Sequence, residues 1–282
     1  GDGGDGRSGR LLRRRPGRVV VAEEVRVALL LLPGAAVSDG PIGPGEIQGA
    51  GNWAPGNSDG TYGGIQPISY GLIHSRNTMS VRVGELAGMD DVHKIATTLG
   101  LGENIPRGPA TYIGSFETNL KDLTAAYTVF PNAGVRKQAY IIERIDDADH
   151  NPIYRAAHVT VPAVDAGSAW MTSQLMEEVL KSGTAASAKS LGWKLPAAGK
   201  TGTTNDYKDA WFVGYTSALT CGVWVGFDQP QTIMSRGYGS ALALPIWTQV
   251  MTKAAQRYPA RPFEPTMPLV RAAVCSISNH LA

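Results

Sequence analysis

Cysteine is scarce: Cys221 and Cys275 are the only two in 282 residues. That count excludes a disulfide-stapled miniprotein and a cysteine-rich zinc site. No run approaches the roughly 18 consecutive apolar residues of a spanning helix, so no membrane anchor is expected within these residues. Neither sign of charge dominates. With 26 Lys and Arg against 24 Asp and Glu the formal net charge is +2, too even for a protein that binds nucleic acid by neutralising phosphates. Lysine is missing altogether before Lys94. What is present is apolar material: 43% of residues are hydrophobic and 18% charged. A largely disordered chain is thereby excluded, and the length supplies one large domain or two smaller ones. The expectation that remains is a soluble, mixed globular chain.

The charge is unevenly spread. Residues 1–36 hold seven Arg, four acids and seven Gly, whereas residues 37–282 hold 19 basic and 20 acidic side chains. Two readings of this head stand open. An arginine cluster, the apolar Val27 to Leu32 and the small Gly34, Ala35 and Ala36 have the order of a targeting segment. Against it, Glu23, Glu24 and Arg26 interrupt the stretch that should be apolar. The plainer reading is a poorly ordered arm, or a stretch foreign to the natural fold. From Asp39 the texture changes, which divides the chain into an atypical head (1–38), a main domain (39–262) and a Pro-rich tail (263–282).

Asp39 to Gly64 is rich in Gly, Pro, Asn and Ser and reads as loop and turns. Apolar helical spacing follows around Leu72, Val83, Leu86 and Ile95, broken by Gly100 and Gly102. A helix is predicted from Asn119 to Phe130, stopped by Pro131-Asn132-Ala133-Gly134. Tyr140 to Tyr154 reads as two strands around the polar Asp146-Asp147-Ala148-Asp149. Ser168 to Lys181 predicts a helix with Met171, Leu175, Met176, Val179 and Leu180 on one side. Ala210 to Tyr215 and Thr220 to Phe227 are aromatic and β-branched, and predict a hairpin. A last helix fits Leu244 to Arg257. There is no internal repeat. Helices on either side of a late antiparallel pair indicate an α/β or α+β domain, with helices packed on an antiparallel sheet.

Side chains capable of chemistry cluster in two places. Gly199-Lys200-Thr201-Gly202-Thr203-Thr204 invites a phosphate-loop reading, which fails. That loop needs a glycine where Lys194 stands, and a helix starting at the lysine where a strand-like run follows. The other use of Lys-Thr-Gly is on a strand bordering an acyl-transfer site. There Lys200 supplies positive charge, the hydroxyls of Thr201 and Thr203 bind a carboxylate, and Gly202 leaves room along the strand edge. A Thr203 backbone N–H is placed to complete an oxyanion hole. The second cluster is Ser75-Arg76-Asn77, where Ser75 and Asn77 can face a cleft together from a loop. Alone, it reads as an ordinary Ser/Asn turn or cap.

Their surroundings carry a resemblance. From about Asp39 onward the chain resembles the transpeptidase domain of class A (bifunctional) penicillin-binding proteins. Gly51-Asn52-Trp53-Ala54-Pro55-Gly56-Asn57 and Tyr62-Gly63-Gly64 lead into the Ser-x-Asn motif at Ser75. Ala125 to Gly134, Gly183-Thr184-Ala185, Ala198 to Tyr215 and Val223 to Asp228 follow in that family's order. The resemblance implies a penicillin-binding protein and serine β-lactamase-like fold, needing no cofactor or metal. It implies serine acyl transfer on peptidoglycan stem peptides ending in D-Ala-D-Ala, inhibited by β-lactams, at the extracytoplasmic face of the cell membrane. Nucleic acid is not among the implied partners. By position, Ser75 shuttles protons, Asn77 holds the substrate amide and Lys200 adds positive charge. Thr201, Gly202 and Thr203 then bind the terminal carboxylate end.

One part is missing. The family's nucleophile lies in a Ser-x-x-Lys motif upstream of Ser-x-Asn, with the lysine one helical turn on to take the serine proton. None of the nine lysines has a serine three residues before it. Thr118 to Lys121 has the spacing but falls in the matched structural helix, and Ser8 has only arginines nearby, which cannot act as base. The head stands where that motif belongs, and the change in composition fits an out-of-frame or mis-joined reading of a GC-rich gene. The family's glycosyltransferase domain and membrane anchor are also missing, so the chain is expected to be a fragment. A non-catalytic binding fragment or pseudoenzyme is the alternative. The other residues read plainly: Cys221 buried in a strand in preference to a Cys221–Cys275 disulfide, five histidines without metal-ligand spacing, and Trp211 and Trp224 packing the sheet on its helices.

Overall fold

The computed structural model describes residues 19–21 and 34–271. Most of the head and the end of the tail, and with them the targeting reading, the disordered-arm reading and Cys275, lie outside the described residues. The first described strand, β1, is Val19–Val21. Strand β2 (Ala36–Ser38) pairs antiparallel with β3 (Ile65–Pro67), closing the Gly- and Pro-rich segment between them into one loop. Three helices follow: α1 (Ile68–Ile73), α2 (Asn77–Ala87) and α3 (Met89–Thr98). The long loop has no helix or strand of its own; its Ile42 and Ile47 bury against Val81 of α2, and two arginines of this region staple it. Arg82 of α2 donates to the carbonyls of Ser38, Gly40 and Pro41 at 2.8 to 3.0 Å and pairs with Glu46. Arg76, just before α2, reaches Asp39, Asp59 and Thr61.

Helix α4 (Leu120–Tyr127) is capped by the Asn119 side chain, which accepts from the Asp122 N–H at 2.9 Å. It ends three residues before the expected Phe130. Thr128, Val129 and Phe130 continue in tighter turns, each donating to the residue three back, a common way to satisfy the last carbonyls of a helix. Gly134 ends the segment at φ 90°, and a side chain there would meet the Val164 carbonyl at 2.0 Å. The next four strands make two small ribbons: β4 (Val135–Lys137) with β7 (Thr160–Pro162), and β5 (Arg144–Asp146) with β6 (Pro152–Arg155), the expected hairpin.

Helix α5 (Ala166–Lys181) starts on Asp165, whose carboxylate accepts from the Ser168 N–H at 2.8 Å. Met176, Val179 and Leu180 are buried, while Met171 and Leu175 are half-buried. The central sheet follows: β8 (Ala198–Thr203), β9 (Asp209–Tyr215) and β10 (Thr220–Gly226), antiparallel in the order β10-β9-β8. The last helix, α6 (Gly239–Ala255), begins five residues before the expected Leu244. Pro245 suits a first helical turn, but here it lies inside the helix. The true start needs a glycine: a side chain on Gly239 would fall 2.2 Å from the Trp211 carbonyl oxygen. Finally β11 (Leu269–Arg271) pairs with β1.

Alternation along β9 sends Phe212 and Gly214 to one face and Trp211, Val213 and Tyr215 to the other. On the first face Trp247 of α6 packs against Phe212 and Trp193, with ring centroids 5.1 and 5.0 Å apart. Its indole N–H donates to the Gly214 carbonyl at 3.3 Å. On the second face Tyr215 meets Met176 of α5, Ala198, Phe130 and Phe263. Phe263, the first residue assigned to the tail, thus packs into the core of the main domain. Trp211 and Trp224 are half-buried and pack on one another at 6.1 Å, and the Trp224 indole donates to Asp209 at 2.9 Å. Cys221 is half-buried in β10, because an outermost strand is covered on fewer sides than expected.

Candidate active site

Ser75 lies on a turn that no regular element includes. Helix α1 stops at Ile73, and Ser75 takes φ 55°, a left-handed conformation rare for a residue with a side chain. The chain then reverses, with the Arg76 N–H donating back to the Gly71 carbonyl at 2.9 Å. Asn77 is the first residue of α2. Ser75 and Asn77 therefore do not share a loop: one sits on the turn, the other on the helix that leaves it. The Asn77 side-chain amide donates to the Gly56 carbonyl at 2.9 Å.

The Lys200-Thr201-Gly202 cluster is strand β8, as the failure of the phosphate-loop reading requires. The Lys200 ammonium donates to the Ser75 hydroxyl oxygen at 2.8 Å, a contact across 125 residues of sequence, and to the Thr201 carbonyl at 3.1 Å. Burial lowers the Lys200 pKa from its ordinary 10.5 to about 8. A buried amine near neutrality can hold or release a proton at physiological pH. The Thr201 hydroxyl shares a hydrogen bond of 2.6 Å with the Thr184 hydroxyl. Thr203, exposed, accepts from the Gly239 N–H at 3.0 Å, which leaves its own O–H free to donate. A side chain on Gly202 would press on Trp211 at 3.1 Å.

Thr184 is the residue that sequence reasoning passed over. It belongs to the turn Gly183-Thr184-Ala185, whose composition was noted without a role for the hydroxyl. The turn meets the end of α1: the Thr184 N–H donates to the Ile73 carbonyl at 3.3 Å, and a side chain on Gly183 would fall 2.3 Å from that same oxygen. The glycine is the available signal, since only it permits this approach.

All six residues assigned from sequence, Ser75, Asn77, Lys200, Thr201, Gly202 and Thr203, line one open cleft of about 1100 Å³. His74 lines it too, its ring tilted against Tyr70 with centroids 4.3 Å apart. Burial, then the Arg76 charge, holds its pKa below the usual value, so it presents a neutral ring. Among the described residues no group of three or more His, Cys, Asp or Glu is placed to hold a metal ion. The arrangement can bind a carboxylate on hydroxyls and a lysine, and can pass a proton between Ser75 and Lys200.

Comparison with known proteins places the chain in one family. The family model for the penicillin binding protein transpeptidase domain matches residues 37–252. Penicillin-binding protein 1A of Rickettsia bellii is 34% identical over 255 residues, covering 82% of this chain and 32% of the relative. The chain thus spans about a third of the length of such curated relatives. The crystal structure of penicillin-binding protein 1A from Haemophilus influenzae superposes with a TM-score of 0.81 at 23% identity, over 91% of this chain and 44% of that one. The PonA1 protein of Mycobacterium tuberculosis, solved in complex with penicillin V, superposes at 0.68 with 22% identity, over 86% and 69% of the two chains.

Proposed function

This chain belongs to the penicillin-binding protein transpeptidase domain family, and from that premise we propose that its cleft binds the D-Ala-D-Ala end of peptidoglycan stem peptides, and the β-lactams that imitate it, for serine acyl transfer in cell-wall cross-linking. The observation that carries the reading is the 2.8 Å contact between Lys200 and Ser75. It brings the two sequence clusters together as a proton-transfer pair. Ser75 relays a proton with Lys200 as its partner, and Asn77 hydrogen-bonds the substrate amide. Thr201 and Thr203 bind the terminal carboxylate, with Lys200 adding charge. The free hydroxyl proton of Thr203 and the start of α6 beside it favour an anion there. Strand β8 is an edge strand of its sheet, so an extended peptide can lie along it, with Gly202 leaving room. The Thr203 N–H is the proposed oxyanion donor.

Acyl transfer needs a nucleophilic serine with its base within reach. In this family that pair is Ser-x-x-Lys, and no serine here has a lysine three residues on, while Ser75, whose lysine comes from β8, takes the part of the relay. This chain by itself is therefore proposed to bind without being acylated. The pseudoenzyme reading has only that missing motif in its favour. Since stem peptides lie outside the cytoplasm, the extracytoplasmic face of the membrane is the proposed place of action. Among the described residues no helix is long and apolar enough to cross a membrane.

Two measurements test the proposal. The intact mass of the chain should be unchanged after incubation with benzylpenicillin. Calorimetry should detect binding of a D-Ala-D-Ala-terminated peptide, weakened about tenfold by Thr203→Val, the worth of one hydrogen bond to a charged group. A covalent adduct would overturn the claim that no nucleophile is present. A folded chain with no affinity for the peptide would overturn the binding role.

A further inference from the structure

The Ser75 turn does not hold itself. Its φ is 55°, and the bond from the Ser75 N–H to the Leu72 carbonyl is long, at 3.4 Å. A strained residue persists only where its surroundings over-determine it. Those surroundings are a buried ionic cluster on the next residue. The Arg76 side chain is 7% exposed; its Nε donates to Asp39 Oδ2 at 2.9 Å and its Nη1 to Asp59 Oδ2 at 2.7 Å. Its Nη2 donates to the Thr61 carbonyl. Asp39 is wholly buried, and its other oxygen accepts from the Thr78 hydroxyl at 2.7 Å and the Asn57 amide at 2.8 Å. Thr78 lies in the first turn of α2, so the cluster grips the chain on both sides of Asn77. No buried polar side-chain atom of the cluster lacks a partner.

We propose that Arg76 is a positioning residue: tied to Asp39 and Asp59, its guanidinium sets the Ser75 turn so that the Ser75 hydroxyl meets Lys200. The inference rests on the reading of Ser75 and Lys200 as a working pair. A guanidinium is needed because its planar fork presents donors from three separate nitrogens to acceptors set apart on Asp39, Asp59 and Thr61, whereas an ammonium offers its three donors from a single point.

The test follows the titration of Lys200 by NMR in lysine-labelled chain. Ser75→Ala removes the acceptor directly and sets the scale: a buried ammonium that loses one partner should titrate lower, by about half to one pH unit. Arg76→Lys keeps the charge and loses the fork. It should reproduce at least half of that fall while retaining a cooperative unfolding transition, which a merely structural loss would not do. A wild-type Lys200 midpoint in Arg76→Lys, alongside a lowered one in Ser75→Ala, overturns the positioning role and leaves the pair standing. An unmoved midpoint in Ser75→Ala overturns both, since there is then no contact to position. Should Arg76→Lys not fold, Asp59→Glu keeps the charge at the half-exposed end of the clamp and displaces only its geometry. A smaller fall is expected there, and an unchanged midpoint overturns the proposal.

Discussion

Lys200 and Ser75 touch, but the walls behind them are built differently. Behind Lys200 stands the β8-β9-β10 sheet, placed by strand register and by Phe212, Tyr215 and Trp247, all with no measurable exposure. Behind Ser75 stands a loop with no regular structure, held by Asp39, Asn57, Arg76 and Thr78. Apolar burial is non-directional, and its strength does not depend on pH. A buried ionic cluster fixes direction closely, but the loss of one member strands the others. A proton-transfer pair needs both: a rigid support for the buried amine and a directional clamp for the hydroxyl.

The comparison can be broken from either side. The largest effect is expected from Trp247→Ala, which empties the core under β9 and should cost about 3–5 kcal/mol in urea denaturation. Asp39→Ala should follow closely, at about 3 kcal/mol, because it leaves Arg76 short of a partner and Thr78, Asn57 and Gly63 without their acceptor. Acid separates the two walls. Burial pushes the Asp39 carboxyl up, but hydrogen bonds from Thr78, Gly63, Asn57 and Arg76 outweigh it and hold its pKa below the ordinary 3.8. Its stabilisation is therefore complete above about pH 4 and lost as pH falls through the folded value. Acid titrations of stability should be less steep in Asp39→Asn, and unchanged in slope in a partial core truncation such as Met251→Ala.

Lys200 acts in the same sense at the other end of the pH axis. Its folded pKa of about 8 lies below its ordinary 10.5, so between those values the unfolded chain binds more protons. Stability should rise as pH climbs from about 8 towards 10.5, and Lys200→Met should abolish that rise. The smallest effect is expected from Thr184→Val, which removes one side-chain hydrogen bond to Thr201. Denaturation should register about 1 kcal/mol.

Elements with a strong local signal were readable in advance. The β9–β10 hairpin falls within a residue of its expected bounds, and the β5–β6 ribbon forms about its expected turn although β5 starts four residues after Tyr140, because alternation and turn residues act over short distances. Helix ends were less readable. Pro245 mimics a helix start, and the true start of α6 depends on how closely Gly239 approaches the Trp211 carbonyl on another strand. At the site, the six motif residues line one cleft, yet Asn77 was expected on a loop and Thr184 was given no role.

The sequence by itself determined the family, the Lys200-Thr201-Gly202 strand, the Ser75-Arg76-Asn77 motif, and the fact that no serine is followed by lysine at one helical turn. These are statements about identity and short spacing, which need no third dimension. Only the tertiary structure decided that Lys200 meets Ser75, that Thr184 meets Thr201, and that Arg76 reaches back to Asp39. Each of those contacts joins segments far apart in the chain. Their geometry follows from how the helices cover the sheet and how the long loop folds onto α2, and no local pattern encodes that.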